Sequence, residues 1–180
     1  MAVRKFSLGD VMRAFGATSI ITGQAALSAD VTGSMSGPDQ LTSGLNGTAH
    51  FTSGQGSFQS VDKEGKPKGK PTVFRESSGS GTITSGVLRT QDFQLKGDGM
   101  KVNGTGKFDL NTQTMNLDLN VDMPGLPLIP VYVHGPFSNP KTVVNGGKVI
   151  LNTFGSLAKG VFGIFGGVFN LFRHDNSSSH

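Results

Sequence analysis

Between Gly99 and Phe137 the chain keeps up a two-residue alternation for longer than most strands last. Met100, Val102, Gly104, Gly106, Phe108 and Leu110 alternate with Lys101, Asn103, Thr105, Lys107 and Asp109. Successive strand residues point to opposite faces, so one face is apolar or bare and the other polar. Asn111-Thr112-Gln113-Thr114 interrupts with turn-forming residues. The pattern then resumes in opposite phase: Met115, Leu117, Leu119, Val121 and Met123 against Asn116, Asp118, Asn120 and Asp122. Two such runs around a short polar turn predict a hairpin with arms of about 30–40 Å. After a turn at Pro124–Pro127, Val131, Val133, Gly135 and Phe137 alternate with Tyr132 and His134, which predicts a third antiparallel strand. One greasy and one wet face is the signature of an antiparallel sheet covered on one side.

The flanking sequence supports a mainly β chain: a long antiparallel curved sheet or open β-groove, with short helices and a C-terminal amphipathic apolar helix. The 27 glycines and the many Ser, Thr and Asn residues favour turns over a helical bundle. Ser7 to Phe15 reads as a short helix, with Ser7 as N-cap, Asp10 closing a loose capping box, and Leu8, Val11, Met12 and Phe15 on one side. Ser19 to Thr22 is a loop or short strand. From Gly23, Ala25, Leu27, Ala29, Val31, Gly33 and Met35 share a face. Ser36-Gly37-Pro38-Asp39 is a turn opening a brief helix to Ser43. Leu45, Gly47, Ala49 and Phe51 alternate with Asn46, Thr48, His50 and Thr52, and Gly54, Gly56 and Phe58 are read as continuing that phase. Residues 62–71, with four lysines, two prolines and two glycines, read as a solvated basic loop. Anionic headgroups are its second reading. Thr72 to Glu76 is ambiguous. Gly81 to Leu88 forms a strand broken by the tight Ser85-Gly86, and Gln91 to Lys96 another, with Phe93 and Leu95 inward. Gly97-Asp98-Gly99 is a hairpin turn. Gly33, Gly47, Gly104, Gly106 and Gly135 recur on the apolar face. They are either bends that twist the sheet or room for something lying on it.

Beyond Asn145 the period changes. Residues 146–173 read as an apolar amphipathic helix and 174–180 as a disordered tail. Lys148, Asn152, Ser156 and Lys159 begin a narrow polar stripe. Phe154, Leu157, Val161, Phe162, Phe165, Phe169 and Phe172 are the candidate membrane-contact residues. Such a helix is about 35 Å long, enough for a hydrocarbon core of about 30 Å. Its glycines each cost helicity roughly 1 kcal/mol, so outside contact has to stabilise it. It plugs the apolar sheet face, lies in an interface or spans a bilayer.

The chain has no cysteine, which excludes disulfides and thiolate metal sites. No Trp and a single Tyr weigh against the aromatic girdles of an outer-membrane barrel. The four histidines lack ligand spacing, and His50 and His134 fall on polar strand faces. Asp109, Asp118 and Asp122 share a wet face. A calcium site there is conceivable, though a solvated face is the simpler reading. No nucleophile elbow, Walker lysine or zinc pattern is present, so the chain reads as a non-enzyme without metal or cofactor. The lysines come without aromatic interleaving, which argues against nucleic acid. No apolar export signal follows Met1-Ala2-Val3-Arg4-Lys5-Phe6. An exported protein of this kind is therefore expected to carry its signal outside these residues, as part of a longer chain.

Several pieces, taken in order, carry a family resemblance. They are Leu8-Gly9-Asp10-Val11, Gly23 to Asp30, Leu45 to Ala49, Thr82 to Leu88, Asp92 to Leu95, Val102 to Leu110, Thr114 to Asn120, Ile129-Pro130-Val131, Gly135 and Asn139-Pro140-Lys141. Together they resemble the C-terminal region of the AsmA family, bacterial envelope proteins related to the TamB type, over most of the chain to about Lys141. The resemblance implies an elongated β-groove with an apolar lining, on the periplasmic face of the inner membrane. It implies a role in outer-membrane biogenesis and phospholipid movement, with phospholipid or membrane, and envelope proteins, as partners. The inner-membrane anchor and most of the upstream repeats have no counterpart here, and a groove this short does not bridge two membranes. The apolar tail helix is not part of the resemblance. On this reading the lipid-binding candidates are Phe93, Leu95, Met100, Val102, Phe108, Leu110, Met115, Leu117, Leu119 and Val121. The alternative is a structural or assembly module whose groove is filled by its own C-terminal helix and binds no lipid.

Overall fold

A computed structural model describes residues 2–10, 19–33, 43–62, 64, 66–136 and 141–145. The described chain is mainly β. Nine strands form a single antiparallel sheet: β1 (Ala2–Ser7), β2 (Ser19–Gly33), β3 (Leu45–Val61), β4 (Pro67–Thr84), β5 (Val87–Gly97), β6 (Met100–Asp109), β7 (Thr114–Asp122), β8 (Ile129–Pro136) and β9 (Lys141–Val144). Their order in the sheet is their order in the chain. No described pairing joins β1 to β9, so the sheet is open.

The hairpin predicted from Gly99 onward is present. Lys101↔Asp122 through Asp109↔Thr114 pair without a slip, and β8 continues from Thr114↔Pro136 to Val121↔Ile129. Met115, Leu117, Leu119 and Val121 are buried, whereas Asp118, Asn120 and Asp122 are exposed. The turns fall where expected. Asp109 Oδ1 accepts from the backbone N–H of Asn111 at 2.9 Å and of Thr112 at 3.2 Å, closing the β6–β7 turn. Ser85 and Gly86 both have positive φ, 50° and 77°, the backbone of a type I′ hairpin. Asn46 Oδ1 accepts from the Ser85 N–H, and Asn111 Nδ2 donates to the Ser85 carbonyl, so side chains from β3 and the β6–β7 turn brace this turn.

Two expectations need correction. First, the apolar phase of β3 flips. Ala49, Phe51 and Ser53 face inward, then Gly56 and Phe58 do, because Gly54 and Gln55 together oppose Gln24 alone. This is a β-bulge, which restores the greasy side chains to one face at the cost of one unpaired residue. Secondly, the basic loop is shorter than 62–71. Asp62 Oδ1 accepts from the N–H groups of Glu64 and Lys66, and Pro67 already belongs to β4. The ambiguous stretch from Thr72 to Glu76 is part of the same 18-residue strand. Pro67 and Pro71 are tolerated because β5 ends opposite Phe74, leaving this end of β4 an edge. Lysine and proline on an exposed edge discourage further pairing. At the start, Ala2–Ser7 form β1, on which no expectation was placed, and residues 8–10 are helical, within the span read as a helix from Ser7, with Leu8 fully buried. Of the two readings of Ser19 to Thr22, loop or short strand, the strand holds, as the start of β2, and Lys141–Val144 adds the unforeseen β9. The remainder of the predicted Ser7–Phe15 helix, the turn and helix after Ser36, and everything from 146 onward lie outside the described residues.

Candidate apolar binding face

The candidate lipid-contact residues come together as transverse rows, one residue from each strand. Leu95, Val102, Val121 and Ile129 are cross-strand partners in sequence; so are Leu88, Phe108, Met115 and Gly135. Phe93, Gly104, Leu119 and Val131 form a third row. Nine of the ten candidates are buried, and Leu110, in the turn, is only partly so. The apolar face also extends beyond them, through Ala25, Leu27, Ala49, Phe51, Phe58, Phe74, Ile83 and Leu88. Periodicity hid this extension wherever a bulge reset the phase. The candidate membrane-contact residues from Phe154 to Phe172 lie outside the described residues.

Two of the five recurring glycines, Gly104 and Gly106, leave room for the chain's own side chains. A side-chain carbon at Gly104 would strike Leu119, and one at Gly106 would strike Leu117 and the Asn116 carbonyl. At Gly79 and Gly56 it would meet Phe51 and Phe74. These four slots hold the chain's own side chains. Phe51 reaches across Gly79 to stack on Phe93, with ring centroids 6.1 Å apart, and Phe58 stacks on Phe74 at 6.3 Å. Polar groups on this face are Ser53 and Ser77, cross-strand partners whose hydroxyls bond each other at 2.6 Å, and Thr90.

On the wet face, Gln91 and Asp92 together oppose Thr105, a second bulge. It leaves the Ser80 N–H without a ladder acceptor, and Asp92 takes that place. Asp92 Oδ1 accepts from the Ser80 N–H at 2.7 Å and from the Thr90 hydroxyl at 3.3 Å, while Oδ2 accepts from the Ser80 hydroxyl. Partial burial pushes the Asp92 carboxyl up, but these donors outweigh it, so it titrates below its ordinary range. Beside it is an open depression lined by Ser28, Thr48, His50, Ser80 and Arg89, among others. The Lys96 ammonium, 2.7 Å from Glu76, lowers the Glu76 carboxyl by hydrogen bond and charge.

Among the described residues no cluster of three His, Asp or Glu side chains could hold a metal, and no helix is long and apolar enough to cross a membrane. Of the acids expected to share a wet face, Asp118 and Asp122 are exposed and Asp109 is half-buried in its turn contacts. Comparison of the chain with family models, curated proteins and solved structures finds no match.

Proposed function

We propose that this chain is a non-enzymatic, AsmA-like envelope module, whose apolar sheet face handles phospholipid or supports outer-membrane assembly at the periplasmic side of the inner membrane. The observation behind the reading is the apolar face of an open sheet, which continues from strand to strand across the register shifts and is interrupted only by Ser53, Ser77 and Thr90 among the described residues. Nothing in that pattern calls for a reacting group. An apolar strip several strands wide matches the one chemistry that acyl chains offer, removal from water.

A second reading rests on the filled glycine slots. If the face is satisfied by the chain's own side chains, the protein is a structural or assembly module that takes no lipid. Native mass spectrometry of the gently purified protein separates the two. The lipid reading expects co-purified phospholipid, and uptake of a fluorescent phospholipid after delipidation. Delipidated protein that takes up none overturns it. Removal of Leu151–Phe172 sharpens the test: the lipid reading expects a folded, stickier protein, the structural one a loss of folding.

A further inference from the structure

The opposite, wet face carries a cross-strand row that holds three cations, Arg89, Lys107 and Lys141. Arg89, Lys107, Asn116, His134 and Lys141 are successive cross-strand partners from β5 to β9. At about 4.8 Å per strand the row extends about 19 Å. Arg89 and Lys107 lie directly opposite each other, and like charges so placed destabilise a sheet. Elsewhere this protein neutralises the same arrangement. Lys96 also faces Lys101, but Lys96 is paired with Glu76 at 2.7 Å and Lys101 stands opposite Asp122. Among the described residues Arg89, Lys107 and Lys141 make no ion pair. The acids near them are engaged or set aside. Asp92 is held by Ser80 and Thr90, Asp109 by its turn, and Asp118 lies one row away, opposite Thr105 and Tyr132.

The neighbouring rows say what kind of anion fits. Tyr132 donates to Asn116 Oδ1 at 3.0 Å and stacks on His134, centroids 5.0 Å apart, leaving a flat, partly exposed aromatic platform beside the cations. A ladder of exposed amides, Gln94, Asn103 and Asn120, follows on the far side of the Thr105–Asp118 row. Amides donate and accept, as sugar hydroxyls do, and a flat aromatic offers an apolar surface with a polar tip. Single-stranded nucleic acid needs successive aromatics for its bases, and on the described part of this strip Tyr132 is the one phenyl-type ring. A membrane would meet a wider field than one file of charges.

We propose that this strip binds a linear acidic polysaccharide, its carboxylate or phosphate groups on Arg89, Lys107 and Lys141 and a sugar ring against Tyr132. This goes beyond the lipid reading, concerns the other face and stands or falls independently of it. The test uses the full chain with polygalacturonate as probe, and with dextran and an oligothymidylate as comparison ligands. Binding to polygalacturonate that weakens with salt, with none to dextran, is expected. The Arg89→Gln/Lys107→Gln protein should bind about tenfold or more weakly, the scale of a lost hydrogen bond to a charged group, with an unchanged or raised melting temperature. Lys107→Arg should retain binding. Absence of binding, equal binding by the double variant, or equal or tighter binding of oligothymidylate overturns the proposal. Should the double variant fail to fold, Lys107→Gln alone decides, and undiminished affinity in it is again refutation.

Discussion

The strands from β6 to β9 and those from β2 to β5 build the same sheet by different means. From β6 onward each pairing runs without a slip. Every pairing between β2 and β6 contains at least one register shift. The first region keeps its greasy side chains on one face by strict alternation. The second keeps them there by inserting residues, at Gly54–Gln55, Arg75 and Gln91–Asp92, each of which resets the phase. The apolar face is therefore continuous although the sequence pattern is not. A bulge bends its strand and adds right-handed twist, so curvature is concentrated in the earlier strands.

That contrast can be broken in several places. The largest effect is expected at Phe108, fully buried in the regular region. Phe108→Ala should cost about 3–5 kcal/mol in urea unfolding. Phe58→Ala, in the hairpin that projects past the end of β5, should cost less; an equal loss would mean that both regions are packed alike. Next comes Gly106→Val, whose added carbons meet Leu117 and the Asn116 carbonyl. A loss of about 1–3 kcal/mol is expected from overpacking, and a neutral result would show spare room on the face after all. Gly86→Ala puts a side chain at φ 77° in the turn between β4 and β5, and should cost about 1–2 kcal/mol. The smallest effect concerns the repair of the β5 bulge. Because the folded Asp92 carboxyl titrates below the ordinary aspartate range, its stabilising contribution is complete above the unfolded pKa and is lost as pH falls through the folded pKa. Asp92→Asn should flatten this acid limb of the stability profile, measured by thermal melts. A limb unchanged in the variant would remove Asp92 from the account of the bulge.

The same contrast explains what could be read from residues alone. The hairpin from Met100 to Asp122, its turn, and the inward set Met115, Leu117, Leu119 and Val121 follow from period-2 arithmetic, and the structure has them. Phe51 and Phe58 are seven residues apart, so period 2 shows that a phase change lies between them but not where. Nothing in Ser-Gly-Gln-Gly marks where a residue goes unpaired until the partner strand is known. Pro67, Gly69 and Pro71 carried turn chemistry into what is an edge of β4, where a missing N–H does no harm. Ala2 to Ser7 shows no strict alternation, since Val3 and Phe6 fall on opposite phases. The cationic row was invisible for another reason. Arg89 and Lys107 are distant along the chain, and only the register, set partly by the bulge at Gln91–Asp92, brings them side by side.

The meander order has a consequence for how the molecule is made. Each strand finds its partner in the segment just synthesised, so no crossover has to wait for a distant piece of chain. Pairings close in sequence form with the least entropic delay, and such a sheet can zip up hairpin by hairpin, each strand docking on the one before it.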